Sequence, residues 1–142
     1  MLDATSTPWT QGGVGNVVFS GVRLSKVLEA HGVTVGPQVR YATAEGIEGS
    51  MGRELPDLEH SLPIADVLEK SIVALHINGE DLPGIHGGPV RLVTPGFFGT
   101  MQIKWLARLR FEMAESPSFY HAVEYRVPLE PTTAGERSCS PS

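Results

Sequence analysis

The sequence predicts an α+β domain built from mixed short strands and short helices. Three observations carry this prediction. Gly (16 residues) and Pro (11 residues) are scattered along the whole chain rather than gathered in one linker, so tight turns interrupt the elements often. Apolar residues recur at helical spacing in short stretches and with period two in others. Hydrophobic residues at 41% and charged residues at 19% match a chain that folds around a core. The domain is placed at residues 1–129; the Pro/Ser/Thr-rich stretch 130–142 has no apolar face and reads as a disordered tail.

The elements follow in order. Residues 1–15 carry turn formers and read as loop. The run Gln11-Gly12-Gly13-Val14-Gly15 is a backbone bend, because no Lys-Ser/Thr follows it to make a phosphate cradle. Leu24, Val27 and Leu28 give a helix, with Ser20 as N-cap and Gly32 closing it. Residues 39–43 alternate as a strand, and the polar, Gly-rich stretch 44–58 reads as a long loop. Ser61 is placed as the N-cap of a second helix, with Pro63 in its first turn, running to about Lys70. The β-branched stretch 71–77 is a strand, and Asn78-Gly79 is a hairpin turn. Glu80-Asp81-Leu82-Pro83 is expected to form a second turn rather than a second strand. Residues 90–94 form a strand stopped by Pro95-Gly96, and 97–101 a bend or short helical turn. Residues 103–113 read as a strand, with Ile103, Trp105, Ala107, Leu109 and Phe111 alternating with Lys104, Arg108 and Arg110.

Charge and composition exclude several classes. The net charge of -5, with no run of five basic residues, opposes a nucleic-acid partner. No apolar run approaches the roughly 20 residues of a membrane span. Met1 to Thr5 lack the basic and apolar regions of a signal peptide, so the expectation is a cytoplasmic chain, and a periplasmic location for a longer parent. A single cysteine, Cys139, allows no disulfide framework and no multi-cysteine zinc site. Among the histidines, His31 sits in a last helical turn, His60 in a turn, and His76 inside an apolar strand as a satisfied core residue. None shows metal-ligand spacing.

Three clusters can carry chemistry. In Gly84-Ile85-His86-Gly87-Gly88-Pro89-Val90-Arg91, a bend poor in side chains lets a ligand approach the backbone. The Arg fork suits phosphate oxygens, and His adds a donor. Local pattern alone favours a tight turn with two exposed polar residues. In Gly99-Thr100-Met101-Gln102-Ile103-Lys104-Trp105, Lys104 offers a point charge and Gln102 a donor or acceptor; in isolation, a solvated strand lysine beside a core tryptophan is the simpler reading. The aromatic set Trp9, Phe119, Tyr120 and Tyr125, with His121 and Arg126, supplies either a phenol beside an anion or a hydrophobic anchor under the last loop.

Taken in order, these pieces resemble the sulfite oxidase family of molybdopterin-dependent oxidoreductases. The resemblance runs from about Pro8 to Pro128: Trp9, Gly13-Val14-Gly15-Asn16, Phe19-Ser20-Gly21-Val22-Arg23-Leu24, Val27-Leu28, Ser61-Leu62-Pro63-Ile64 and Ile77-Asn78-Gly79. It continues through Leu82-Pro83, His86-Gly87-Gly88-Pro89-Val90-Arg91, Pro95-Gly96, Gly99, Lys104-Trp105-Leu106 and Glu124-Tyr125-Arg126. It implies part of that family's molybdopterin-binding fold, its C-terminal half. It also implies that His86 and Arg91 contact the pterin and its phosphate, that Gln102, Ile103 and Lys104 form the next cofactor strip, and that Glu45 takes the place of an aspartate that contacts the cofactor in the family. Trp9 and Tyr125 match residues lining the substrate-anion pocket.

The implied cofactor is molybdenum-molybdopterin. The implied reaction is oxidation of sulfite to sulfate by oxygen-atom transfer, with electrons passed to an outside acceptor such as a cytochrome; sulfite is preferred to nitrate or sulfoxide. In the family a cysteine thiolate from a segment before the tryptophan binds the metal. The expectation is therefore a truncated form without that cysteine, with a missing N-terminal half as a candidate partner, and no metal ligand is assigned. Two rival expectations are a non-catalytic pterin-binding or interaction fragment, and a plain α+β binding domain.

Overall fold

The computed structural model describes residues 15–47 and 58–125. Trp9, the glycine run at 11–14, residues 48–57 and the stretch 126–142 lie outside the described residues. The two described segments form two antiparallel sheets with two short helices.

In the first sheet, β4 (Ile72–Ile77) is the central strand. β1 (Phe19–Arg23) runs along one edge of it. On its other edge, β5 (Glu80–Asp81) covers residues 76–77 and β6 (Arg91–Val93) covers 72–74. In the second sheet, β2 (Tyr41–Gly46) lies between β3 (Glu59–Pro63) and β7 (Leu106–Glu112). Helix α1 (Leu24–Ala30) follows β1 without a loop, and α2 (Ile64–Lys70) follows β3 in the same way.

Leu24, Ala42, Ala44, Leu62, Val67, Leu92 and Ile103 form the buried core, with Leu28, Ile64, Val73, Phe97, Leu106, Leu109 and Phe111 packed on it. Because side chains alternate along a strand, Ala42 and Ala44 face this core while Thr43 faces the other way. Thr43 is nonetheless fully buried, since a polar seam covers that face. Its hydroxyl pairs with that of Ser61 at 2.7 Å and donates to Glu112. Ser61 Oγ also accepts the Ser116 N–H at 2.8 Å, which pins the chain after β7 across the sheet.

Several elements differ from the expectations. Residues 19–23 form a strand, so Ser20 is not a helix cap, and Arg23 occupies that position. Gly21 allows this: a Cβ there would sit 2.0 Å from the Val73 carbonyl oxygen, at the bulge between Ser20 and Gly21. Gly32, at φ +65°, ends α1 as expected. Residues 44–46, placed in the loop, complete β2. Ser61 lies within β3 rather than capping α2, and Pro63 takes the cap position. Asn78 (φ 53°) and Gly79 (φ +87°) make the hairpin turn, but Glu80–Asp81 is a short second strand. The Asn78 side chain stabilises this turn by accepting the Val18 N–H at 2.9 Å.

The alternation expected over 103–113 breaks at Trp105, whose φ of +46° is left-handed. The opposing register slips between Glu45 and Gly46, so Leu106, Leu109 and Phe111 reach the core while Ala107 is exposed. His76 is half-exposed, 3.4 Å from Asp81, and is not a core residue. His60 is not in a turn: it is a buried β3 residue.

Candidate functional site

The glycine bend and the segment leading into β7 are held side by side by backbone hydrogen bonds. Trp105 N–H donates to the Gly87 carbonyl at 3.0 Å, Leu92 N–H to Ile103 at 2.9 Å, and Leu106 N–H to Val90 at 2.9 Å. Arg91 stands on the seam so formed. Its Nε donates to the Gln102 carbonyl at 3.2 Å and its Nη1 to the His86 carbonyl at 3.1 Å. The guanidinium carbon lies 5.2 Å over the Phe19 ring. Burial pushes the Arg91 pKa down, but a guanidinium stays charged through the working pH range. Two of its five N–H groups are thus spent on orientation, and the rigid fork is pre-aimed for an anion.

Arg91, Gln102, Ile103, Lys104 and Tyr125 line one cleft of about 310 Å³, with Leu58, Gly99 and Thr100. Lys104 carries its ammonium 4.3 Å over the Trp105 ring. Gln102 acts on the wall itself: its amide bridges Thr94 N–H, Thr94 carbonyl and Phe97 carbonyl, so it folds the 94–98 bend. Ile103 is buried and anchors the strip to the core. Space around Gly99 is open, since a Cβ built there meets nothing within 4 Å.

Not every expected residue joins this cleft. His86 is exposed and contributes its backbone carbonyl to Arg91; its imidazole is not among the lining groups. Glu45 is on the second sheet, where its carboxylate takes Arg110 at 2.8 Å and Arg108 at 3.1 Å. It does not line the cleft. Trp9 lies outside the described residues. The glycines of the bend also serve a different purpose from the one expected. Gly87 and Gly88 are buried, and a Cβ on Gly88 would fall 1.9 Å from the Leu82 carbonyl oxygen. A Cβ on Gly87 would fall 2.7 Å from Cβ of Lys104. They allow chain to pack on chain, and the open space of the cleft lies instead beside Gly99 and Thr100.

A larger cleft of about 540 Å³ opens on the polar side of the second sheet. It carries the carboxylates of Glu59, Glu112 and Glu115 against one arginine, Arg110, and so disfavours an oxyanion. Burial raises the pKa of Glu59, but hydrogen bonds from Ser116 and Arg110 outweigh it and leave the pKa lowered. Leu58 and the buried His60 were not foreseen near the first cleft, because an isolated histidine before Ser61 gives no periodic signal.

The residues fit the organic, anionic part of a phosphorylated cofactor. Arg91 and Lys104 offer two cations and Thr100 a hydroxyl, around open space at Gly99. Among the described residues no three or more His, Cys, Asp or Glu side chains are grouped so as to hold a metal ion.

Comparison with known proteins agrees with that fit. Residues 1–120 match the family model of the oxidoreductase molybdopterin binding domain. The chain is 35% identical to a nitrate reductase [NAD(P)H] of Hordeum vulgare over 122 residues, covering 84% of this chain and 14% of that protein. It is 32% identical to the mitochondrial sulfite oxidase of Rattus norvegicus over 123 residues, covering 83% and 22%. The structure of the sulfane dehydrogenase SoxCD from Paracoccus pantotrophus superposes with a TM-score of 0.61 at 34% identity, covering 72% of this chain and 24% of that one. The chain thus spans less than a quarter of the length of each of these proteins. The α+β architecture and the match over most of the chain lead to one conclusion: this chain belongs to the oxidoreductase molybdopterin-binding domain family, whose cofactor is molybdenum-molybdopterin.

Proposed function

We propose that the cleft holds the anionic end of molybdopterin and that the protein oxidises sulfite to sulfate. The observation that carries the first part is the convergence of Arg91 and Lys104 on one cleft, with Arg91 clamped by two carbonyls. Arg91 grips phosphate oxygens, Lys104 adds charge, and Gln102 and Ile103 hold the wall in shape. Tyr125, at the cleft's edge, supplies a phenol that donates a hydrogen bond to a substrate oxyanion. When bound, the molybdenum group supplies the oxygen-atom transfer and the two-electron redox chemistry. Sulfite and water become sulfate, two protons and two electrons, and the electrons leave to an acceptor such as a cytochrome. Similarity to sulfite oxidases supports sulfite, and similarity to a sulfane dehydrogenase supports a sulfur-containing substrate more broadly. The nitrate reductases are as similar, so nitrate reduction is the second reading.

The test is to produce the protein in a cell that makes the cofactor and to measure pterin and molybdenum per chain at neutral pH. About one pterin per chain is expected. Arg91→Ala is expected to weaken retention at least about tenfold, since a hydrogen bond to a charged group contributes roughly 1.5–3 kcal/mol. A wild-type protein free of pterin overturns the reading of the cleft. Pterin without molybdenum leaves a non-catalytic pterin-binding fragment. For molybdenum-loaded protein, sulfite-dependent reduction of cytochrome c is expected. Nitrate turnover without sulfite turnover overturns the choice of substrate.

A further inference from the structure

Behind Tyr125 lies a pair of imidazoles that the reaction above does not use. His60 on β3 is 1% exposed and His121, on the π-helical turn Tyr120–Glu124, is 4% exposed. Their Nδ1 atoms lie 3.5 Å apart, and His121 Nδ1 also accepts the backbone N–H of Ser61 at 3.4 Å. That acceptor role assigns the tautomers. His121 carries its proton on Nε2, which faces the Glu115 carboxylate at 3.6 Å. His60 then donates from Nδ1, and its Nε2 is a bare lone pair, buried with no hydrogen-bond partner among the described residues. The His60 ring meets the Tyr125 ring edge-on, with centroids 5.7 Å apart, and Tyr120 stacks on Tyr125 at 6.4 Å. The turn that carries Tyr125 to the cleft is therefore docked on β3 through two neutral imidazoles.

We propose that His60 and His121 are positioning residues: a neutral imidazole latch that holds Tyr125 over the cleft and opens when His121 Nδ1 takes a proton. The proton turns the one acceptor of that contact into a third donor, opposing both Ser61 N–H and His60 Nδ1–H. Other ionisable groups face the pair from each packed element. Glu59 comes from β3 and Glu115 from the chain after β7, both able to favour the proton. Arg110 from β7 occupies Glu59 and Glu45, the latter on β2. Tyr120 and Tyr125 close the turn side, and Arg91 and Lys104 line the same cleft as Tyr125. Burial, with the charge of His121 next, holds the His60 pKa down to about 4, so the inner ring stays neutral above that range. The proposal rests on the reading of the cleft as the pterin and anion site for its purpose, but not for its geometry.

The test is NMR on the full chain without cofactor, with labelled histidine and tyrosine rings, from pH 8 to pH 4. In the wild type, Overhauser contacts between the Tyr125 and His60 rings are expected at pH 8. They are expected to disappear, and the Ser61 amide to shift, at the midpoint of His121 titration. His121→Asn keeps an acceptor for Ser61 without its own titrating group, and is expected to retain the contacts until the pH falls to the range in which His60 itself takes a proton. His60→Asn keeps the donor and removes the neighbouring ring, and is expected to move the His121 midpoint. Contacts that persist through His121 titration in the wild type overturn the proposal. So does an H121N protein with an unchanged pH response. If H121N loses the dispersed spectrum of the fold, the H60N midpoint decides: no movement overturns the latch. Absence of pterin from the loaded wild-type protein, with the Tyr125 transition intact, overturns the cleft reading and leaves the latch standing.

Discussion

At the scale of single residues, placement rather than type separates ligand groups from structural ones. Arg91 and Glu45 both looked like cofactor contacts in the sequence. Arg91 stands on a cleft with most of its fork available, whereas Glu45 is engaged by Arg108 and Arg110 on the second sheet. Nothing in the local pattern around Glu45 told of arginines more than sixty positions away. His60 makes a separate prediction about stability. Its pKa is held at about 4 in the folded chain against 6.5 in the open one. Below pH 6.5 the unfolded ring binds a proton that the folded ring refuses, so stability falls as pH drops and levels off near pH 4. At about 1.4 kcal/mol per unit the full effect is roughly 3 kcal/mol. Urea unfolding of wild type and H60N at pH 7.5, 6 and 4.5 checks this. The wild type is expected to lose stability against the variant step by step, and carboxylates common to both cancel.

At the scale of elements, joins were harder to read than the elements themselves. The helical spacing from Leu24 and the apolar strand before Asn78 were legible because periodicity and turn chemistry agreed. The strands β1 and β3 were not, because each runs straight into a helix and offers Ser20 or Ser61 as a false cap. The strand β7 was read in the right phase at Leu109 and Phe111 but not at Ala107, since the left-handed backbone at Trp105 and the slip opposite Glu45 bring Leu106 inward instead. The glycine bend was located correctly but for the wrong reason. It is a close-packed corner, so Gly88→Ala is expected to cost more than the roughly 1 kcal/mol of an ordinary backbone effect, because the Leu82 carbonyl must move. A drop in the thermal midpoint of several degrees or more is the expected reading, and an unchanged midpoint counts against the corner.

At the scale of the whole molecule, composition was enough for the class and too little for the topology. Scattered Gly and Pro announced many short elements, and two sheets with seven strands and two helices are found in the described residues. The pairing of β2 with β7 joins positions sixty or more apart, and a period-two pattern does not name its partner. The series of short motifs did reach the family, since turn spacing survives where individual side chains do not. Trp105 lies where the two sheets meet. Its N–H is tied to Gly87 on the side of the first sheet, and its carbonyl accepts the N–H of Ile47 at the end of β2. The indole also carries the Lys104 ammonium on its face. A chain with two tryptophans thus contains its own optical gauge of the junction. In a Trp9→Phe protein all tryptophan emission comes from Trp105. An oxyanion that draws Lys104 away from the ring is expected to change that emission in a saturable way, and Lys104→Gln is expected to leave the signal flat.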